Sequence, residues 1–307
     1  MIWQKEGLIF KVADYRNDWR DNSALQPTPL RYDEKVIRVF VGFRNKEGIS
    51  RIGYIDLDSE NPRNILSISE NPVLDIGEDG TFDENGVVPS AVVKHNGVLY
   101  LYYAGYQLGQ KIRFTVFGGL AMSFDNGKTF KRYKKVPVFE RNDEDLFFRV
   151  PHSVLIENGV FKFWYGGGNS FRKGQSKSLP VYDIRYIESA DGLHIGDKGR
   201  VLLTMRENEH RLGRPYLVRK KEKYLLFFGA GTEEVPYRLA YAESDDGVNW
   251  IRKDETMNLF FSEKAEEWDS KMMAYPSIIN TGSKTFLFYN GNNYGYEGFG
   301  YAELIEE

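Results

Sequence analysis

The hydrophobic positions of this chain form short runs of the kind found in β-strands, and these runs repeat at an even spacing. A proline followed by a short apolar run occurs five times, with spacings of 62, 62, 64 and 61 residues, at Pro27, Pro89, Pro151, Pro215 and Pro276. After each proline comes an aromatic-rich run ending in glycine, and these glycines are 63, 61, 63 and 62 residues apart. Two independent markers that keep one period five times indicate an internal repeat.

Each repeat continues with a third run and, in most repeats, a fourth. In the three middle repeats the third run leads into the turns Asp125-Asn126-Gly127, Asp191-Gly192 and Asp246-Gly247. Such sequences supply the positive φ that hairpin turns require. A fourth run with an aromatic residue follows, as at Phe130 and Trp250. Every repeat is therefore predicted to be a four-stranded antiparallel meander.

Five meanders that are apolar on both faces can bury those faces by stacking radially. The pattern predicts an all-β fold, a single five-bladed β-propeller of four-stranded antiparallel blades spanning residues 1–307. Its inner strands are expected to start near residues 27, 89, 151, 215 and 276. The last repeat lacks a fourth run, whereas Trp3, Gly7, Ile9 and Phe10 resemble one. We therefore expect the N-terminal strand to close the last blade; the alternative is an open β-sandwich of similar hairpins.

Composition narrows the class of protein. The chain is 41% hydrophobic and 15% aromatic, enough for a sizeable core. Its formal net charge of −3 gives no basic field, so no nucleic-acid partner is predicted. With no cysteine, neither disulfides nor cysteine metal sites can form.

The termini and apolar runs bear on location. No apolar run approaches the roughly 20 residues of a membrane-spanning helix, so no membrane partner is predicted. Lys5, Glu6 and Lys11 interrupt the apolar residues at the N-terminus, unlike a signal peptide. A cytoplasmic location is the expectation.

In a propeller the inner strands converge on a central channel, whose mouth is the default site. The segments just ahead of the inner prolines combine carboxylates, arginines and aromatics, a mixture that suits sugar recognition. Candidate catalytic acids and bases are Asp83, Glu84 and Asp269. Candidate substrate-binding residues are Arg20, Asp21, Arg149, His152, Arg214, Trp268 and Lys271. The alternative is that these are solvated loop residues that recur because the repeats are duplicated.

Several of these residues have a competing structural interpretation. Asp83 could cap a turn. Arg149 and Arg214 stand close to inner-strand prolines, where a buried guanidinium must meet carboxylates or a bound anion. His152 follows Pro151 and could contact substrate or be a satisfied core residue. No His or carboxylate cluster has metal-ligand spacing, so neither a metal nor a cofactor is predicted.

The chain resembles a known superfamily. The segments that carry the resemblance include Val88 to Gly105, Ala121 to Gly127, Tyr241 to Gly247 and Trp268-Asp269 with Tyr275 to Ser277. They resemble the five-bladed propellers of arabinanases, levansucrases and invertases, which include glycoside hydrolase families 32, 43, 68 and 130. Segments such as Ser50 to Asp56 are most similar to bacterial propellers associated with surface-polysaccharide genes. The resemblance implies cleavage of a glycosidic linkage in a bacterial oligosaccharide or surface polysaccharide.

The resemblance also implies three catalytic acids, one near each of three inner-strand prolines. Invertase-like members have Asp directly before the first proline, Asp before the middle one, and Glu two residues before the next. This chain has Gln26, Val150 and Gly213 instead. Without these acids a two-carboxylate mechanism is not expected unless other loops supply them. The alternatives are a catalytically silent sugar-binding propeller, or a phosphorolytic or glycosyl-transfer enzyme whose basic residues hold phosphate or an acidic sugar.

Overall fold

The computed structural model describes residues 1–220 and 222–306, whose regular structure is almost entirely β-strand. The all-β prediction is therefore confirmed. Two 3-10 turns and one short helix complete the regular structure, at Val12–Tyr15, Asp254–Thr256 and Asn292–Gly295. None of the helices in this part of the chain is long and apolar enough to span a membrane.

The strands fall into five consecutive four-stranded units. The first strand, β1 (Ile2–Lys11), pairs with the last strand of the chain and therefore belongs to unit 5. Unit 1 consists of β2 (Asn22–Arg31), β3 (Val36–Arg44), β4 (Ser50–Asp58) and β5 (Ile65–Ile68). Unit 2 consists of β6 (Val87–His95), β7 (Val98–Leu108), β8 (Phe114–Ser123) and β9 (Lys131–Arg132). Unit 3 consists of β10 (Phe148–Glu157), β11 (Val160–Lys173), β12 (Ser178–Ser189) and β13 (Arg200–Leu203). Unit 4 consists of β14 (Arg211–Lys220), β15 (Lys223–Gly231), β16 (Arg238–Ser244) and β17 (Ile251–Arg252), and unit 5 adds β18 (Ala274–Asn280), β19 (Thr285–Asn290) and β20 (Gly298–Glu306).

The hydrogen-bonded sheets contain 4, 4 and 12 strands. Unit 1 and unit 5 are separate four-stranded sheets, the latter with the order β1-β20-β19-β18. Units 2, 3 and 4 merge into the 12-stranded sheet through two short parallel pairings, β8 with β10 and β12 with β14. Within each unit all pairings are antiparallel, as in a meander.

The hydrophobic core is divided into clusters that lie between neighbouring units. Phe40 of unit 1 packs with Tyr103 of unit 2, and Tyr102 of unit 2 packs with Phe163 of unit 3. Equivalent clusters join unit 3 to unit 4, unit 4 to unit 5, and unit 5 to unit 1. Because each strand buries residues on both faces, each unit is stabilised mainly by its neighbours.

The first strands of the five units contact one another in a cyclic order, β2-β6-β10-β14-β18 and back to β2. They begin two to five residues ahead of the prolines that predicted them. At each proline the antiparallel register shifts by a bulge. Proline cannot donate to the ladder, and a bulge re-aims the neighbouring side chain. The repeated proline therefore marks the irregular position of each first strand.

The turns predicted from Asp-Gly sequences are present in units 2, 3 and 4. Gly127, Gly192 and Gly247 have φ of 84°, 71° and 75°. In each turn a serine hydroxyl accepts a hydrogen bond from the glycine N–H, while the aspartate accepts bonds from the two following backbone N–H groups. These bonds fix the path into the fourth strand.

Candidate functional site

A cavity of about 620 Å³ lies where the first strands converge. The residue directly before each of the five repeat prolines lines it, namely Gln26, Val88, Val150, Arg214 and Tyr275. In every first strand this position lies next to the register shift at the proline or within it. One sequence position, repeated five times, thus builds the wall of a single cavity.

The backbone around this cavity is strained. Among the described residues other than glycine and asparagine, five have φ in the left-handed region: Ser23, Gln26, Arg214, Tyr275 and Tyr294. All of these except Ser23 line the cavity. Each such conformation costs about 1–3 kcal/mol and persists only where the surroundings impose it. Strain of this kind is concentrated at functional sites.

The three positions at which the resemblance implies acids all line the cavity, but their side chains carry no acid. Gln26 and Val150 occupy two of them, and Gly213 occupies the third. A Cβ on Gly213 would lie 2.7 Å from the Tyr237 hydroxyl oxygen, so a side chain there would collide with the tyrosine. The only carboxylates in the described lining are the exposed Glu47 and the half-buried Glu233.

Positive charge dominates the lining. Its cationic side chains are Arg44, Arg113, Lys177, Arg211 and Arg214. None of them forms an ion pair with a carboxylate in the described ranges. Five tyrosines also line the cavity, namely Tyr106, Tyr182, Tyr237, Tyr275 and Tyr294. Burial raises the pKa of Tyr106 to about 12, so its hydroxyl is neutral and can donate a hydrogen bond.

Arg214 reaches across the centre from unit 4 to units 1 and 2. It donates to the Gln26 side-chain oxygen at 2.7 Å, to the Pro27 carbonyl at 2.8 Å and to the Thr28 hydroxyl at 2.8 Å. All of these acceptors are neutral, and its Nε has no partner among the residues described. Burial lowers the pKa of Arg214 to about 9.

Arg211 lies among tyrosines. It donates to the Pro236 carbonyl at 2.7 Å and to the Tyr294 hydroxyl at 3.1 Å, and lies 4.3 Å from the centre of the Tyr237 ring. The Tyr237 hydroxyl is hydrogen-bonded to that of Tyr182. This group offers a cation, hydroxyls and ring faces in one place.

Two histidines line the cavity in their neutral form. His210 donates from Nδ1 to the Pro180 carbonyl at 2.7 Å, and its Nε2 has no partner in the described structure. His152 Nδ1 lies 3.1 Å from the Ser90 hydroxyl, which itself donates to the Pro151 carbonyl. Burial lowers the pKa of both rings, helped at His152 by Arg214 and at His210 by Arg211 and Arg172. Each ring therefore carries an Nε2 lone pair that can accept a hydrogen bond or a proton.

Of the predicted site residues, only His152 and Arg214 line this cavity. Asp83 is buried away from it, where Tyr103 donates at 3.0 Å and Arg132 pairs at 2.8 Å. Asp269 is likewise buried and pairs with Tyr289 at 2.8 Å and Lys5 at 2.6 Å. In both cases the tyrosine lies 20 residues further along the chain.

The same arrangement recurs at Asp145, which was not among the predicted site residues. Tyr165, again 20 residues later, donates to it at 3.1 Å, and Arg185 and Arg149 pair with it at 2.9 and 3.4 Å. We call these three groups the acid clusters: Asp83–Tyr103–Arg132, Asp145–Tyr165–Arg185–Arg149 and Asp269–Tyr289–Lys5. They tie the loop that leads into a first strand to the second strand of the same unit.

The other predicted residues also lie outside the cavity. Glu84 accepts hydrogen bonds from the Gly80 N–H and the Gln107 side chain. Arg20 donates to the Tyr15 and Ser69 carbonyls, while Asp21 accepts from Asn22. Arg149 donates to the carbonyls of Glu140, Gly196 and Asp197.

Trp268 and Lys271 lie in unit 5. The Trp268 ring stacks on Tyr289 at a centroid distance of 4.9 Å. Lys271 lines a neighbouring recess together with Met272 and Asn292. The cavity and this recess share Tyr294.

Sequence reasoning missed most of the cavity lining, including Arg44, Tyr106, His210, Arg211 and Tyr237. The position directly before each proline was a usable signal for the wall. Arg44 and Tyr106 follow the glycines that end the second runs, a signal of equal regularity. Within the described ranges, no three His, Cys, Asp or Glu side chains come together to hold a metal ion.

Comparison with known proteins identifies relatives by sequence and, separately, solved structures with a similar fold. No family model matches the chain. The uncharacterized protein Rv1502 of Mycobacterium tuberculosis strain H37Rv is 31% identical over 307 residues, covering 99% of each chain. The uncharacterized protein MT1551 of strain CDC 1551 is 30% identical over the same length, with the same coverage.

Solved structures extend the likeness at the level of the fold. A glycoside hydrolase superposes with a TM-score of 0.74 at 16% identity, covering 99% of this chain and 92% of its own. A thermostable family-43 glycoside hydrolase gives 0.69 at 18% identity, covering 95% and 93%. The alpha-L-arabinofuranosidase of Lactobacillus brevis gives 0.70 at 9% identity, covering 97% and 95%. At these identities the chain shares their fold.

Proposed function

Because the chain belongs to the same family as Rv1502 of Mycobacterium tuberculosis and has the fold of glycoside hydrolases, we propose that it is a carbohydrate-active propeller protein. The five units are blades of one domain, residues 1–307, and β1 closes the fifth blade. The cyclic contacts among the first strands support this arrangement. So do the core clusters between every pair of neighbouring units.

The saccharide occupies the cavity at the centre of the ring. The observation that carries this proposal is the lining itself, which combines five tyrosines with cations in a volume of about 620 Å³. Tyrosine rings stack on the apolar face of a sugar, and their hydroxyls bond to its hydroxyls. The strained residues around the wall are consistent with a binding site.

The lining does not favour cleavage by a pair of carboxylates. A glycosidase of that type needs two carboxyl groups about 5 to 9.5 Å apart across the scissile bond. Gln26, Val150 and Gly213 stand at the positions where the resemblance implies acids. The catalytic roles predicted for Asp83, Glu84 and Asp269 stay predictions without support from the lining. Binding of a saccharide is therefore the function that the cavity supports best.

A second candidate function is acid–base chemistry on the bound saccharide, which His210 favours. Its Nδ1 proton is fixed by the Pro180 carbonyl, so the unpartnered Nε2 is available to accept a proton. A single base of this kind suits glycosyl transfer or phosphorolysis better than two-carboxylate hydrolysis.

The test is a panel of neutral and acidic oligosaccharides, titrated calorimetrically and then analysed for products with and without inorganic phosphate. We expect binding that Tyr106→Ala weakens and that Tyr133→Ala, an exposed tyrosine outside the cavity, leaves unchanged. Absence of binding across the panel by the folded protein would contradict the proposal. Products that disappear in His210→Gln but persist in Asp83→Asn would establish the second candidate.

A further inference from the structure

The cavity contains buried positive charge that nothing in the described chain neutralises. Arg214 is 1% exposed and Arg211 is 8% exposed, yet the acceptors around them in the described ranges are carbonyl, amide and hydroxyl oxygens. Elsewhere in the molecule Arg38 meets Asp56 at 2.8 Å on two atoms, whereas the buried Arg20 donates only to the Tyr15 and Ser69 carbonyls among the described residues. Burying an unpaired charge is costly, so its persistence calls for a partner from outside.

Arg44 supplies a third guanidinium. It lies at the end of β3 on the cavity wall, and its buried Nε has no hydrogen-bond partner within residues 1–220 and 222–306. Arg44 and Arg214 both lie close enough to the Tyr106 hydroxyl to favour its ionised form, against the larger effect of burial. Both cations line the cavity together with Tyr106.

Arg211 lies near the same tyrosines. Tyr275 precedes the fifth proline and lies close to Tyr106, Tyr182 and Arg211. Arg211 donates to the Tyr294 hydroxyl, and Tyr294 is itself near Tyr106. The three guanidiniums and these tyrosines line the same cavity, and the tyrosine hydroxyls supply further hydrogen-bond donors without adding negative charge.

We propose that Arg44, Arg211 and Arg214 form a site for an oxyanion group carried by the saccharide, a carboxylate or a phosphate. This inference rests on the proposed function and narrows it from carbohydrates in general to anionic ones. Guanidinium groups bind both oxyanions through charge-assisted, often bidentate hydrogen bonds. The neutral Nε2 atoms of His152 and His210 would then accept from sugar hydroxyls beside the anionic group.

Charge balance supports an anion over a neutral ligand. The lining has five cationic side chains and two carboxylates, and the carboxylates are the exposed Glu47 and the half-buried Glu233. The protein as a whole has the opposite sign, with a net charge of −3. Positive charge is therefore concentrated at the cavity rather than spread over the surface, which would also draw an anionic ligand toward it.

The experiment is calorimetric titration of the full chain at low salt with methyl glucuronide, glucose 6-phosphate, inorganic phosphate and neutral methyl glucoside. We expect the anionic probes to bind and the neutral one to bind at least roughly tenfold more weakly. Arg44→Gln should weaken anion binding by about tenfold or more, because it removes a charge-assisted contact. The matched control is Arg219→Gln, which removes an exposed guanidinium that stacks on Tyr224 outside the cavity.

Each outcome bears on one of the two proposals. Tighter binding of the glucuronide identifies a carboxylate, and tighter binding of either phosphate probe identifies a phosphate. Equal affinity for the neutral glucoside, or unchanged anion binding in Arg44→Gln, overturns the oxyanion site while leaving the saccharide proposal in place. Binding of inorganic phosphate that depends on Arg44, without binding of any sugar, supports the oxyanion site and overturns the proposed function. Lack of binding by every probe overturns the oxyanion site.

Arg44→Gln is chosen because the Arg44 side chain makes no hydrogen bond to the described residues, so the substitution removes none that folding forms. Its melting temperature should match that of the parent protein. Arg211→Lys gives a second reading, since it keeps the charge but loses the planar, forked geometry. Retention of weak anion binding by this variant, with reduced discrimination against the neutral glucoside, is the expected result.

Discussion

Buried charged side chains have different partners in the acid clusters and in the cavity. In the clusters, each buried aspartate has a cation and a tyrosine hydroxyl from its own chain within hydrogen-bond distance. In the cavity, buried arginines meet neutral oxygens. A buried charge that is paired with an opposite charge of the chain is explained by folding. Buried cations that meet only neutral oxygens and line a cavity are better explained by a ligand.

This difference changes which residues are the better candidates for function, compared with the sequence analysis. Asp83 and Asp269 stand just ahead of first strands, where an active-site acid could lie. Their repetition with a tyrosine 20 residues later is instead what a duplicated structural contact produces. Unit 4 has Glu209 in the corresponding place, where Arg252 of the fourth strand pairs with it at 2.8 Å. The recurrence of the acids is what a structural contact within each unit predicts, whereas the cavity residues differ from unit to unit.

The largest effect is expected from Asp145→Ala. Asp145 is 1% exposed and pairs with Arg149 and Arg185, so its removal leaves Arg149 buried without a carboxylate, while Arg185 keeps only Asp183. Loss of one partner of a buried pair destabilises by about 3 to 5 kcal/mol. Chemical denaturation followed by tryptophan fluorescence would measure the loss. If Asp145→Ala were as stable as the parent, the clusters would not be the structural elements described above.

Asp83→Asn should have a smaller effect on the free energy of unfolding. The amide keeps the shape but weakens the bonds to Arg132 and Tyr103, and bonds to a charged group contribute about 1.5–3 kcal/mol. Arg132 is partly exposed, which limits the loss. Saccharide binding should be unchanged. The comparison fails if this variant is fully stable but no longer binds or turns over a saccharide, because Asp83 would then be functional.

The repeated structural features and the cavity also differ in how well the sequence predicts them. The all-β fold and the four-stranded units could be predicted because prolines, glycines and Asp-Gly turns repeat at a fixed period. The contents of the cavity could be predicted only in part. The residues before the prolines, and Arg44 and Tyr106, follow the repeat, but the period alone does not show which of its positions face the cavity. Arg214 was predicted because a guanidinium beside an inner proline requires an explanation wherever it lies.

Stability should depend on pH through the cavity histidines. Burial lowers the pKa of His152 and His210 below the ordinary value of 6.5, with Arg214 adding to the effect at His152 and Arg211 and Arg172 at His210. The unfolded chain therefore binds more protons below pH 6.5. The free energy of unfolding should fall as the pH is lowered below 6.5, by at most about 1.4 kcal/mol per pH unit for each histidine, until the pH reaches the folded-state pKa of that ring.

Denaturation midpoints measured between pH 7 and pH 5 would test this dependence, since carboxylates titrate mainly below that range. His152→Gln and His210→Gln should each remove part of the slope. A slope that both variants leave intact would mean that the two rings are accessible to protons in the folded protein, and the cavity would not be the desolvated site described here.

The smallest effect, and the sharpest contrast, is expected from two tyrosine substitutions in one strand. Tyr103 and Tyr106 both lie in β7, but Tyr103 donates to Asp83 at 3.0 Å, whereas Tyr106 faces the cavity and makes no side-chain hydrogen bond in the described ranges. Tyr103→Phe should cost about 1 kcal/mol of stability, the usual contribution of one hydrogen bond, and leave ligand binding intact. Tyr106→Phe should leave stability unchanged and weaken binding of an anionic saccharide, because only the ligand loses a donor. Thermal denaturation and calorimetric titration of both variants would measure the two effects. A reversed result would mean that the hydroxyl in the acid cluster serves the ligand and the one in the cavity serves the fold.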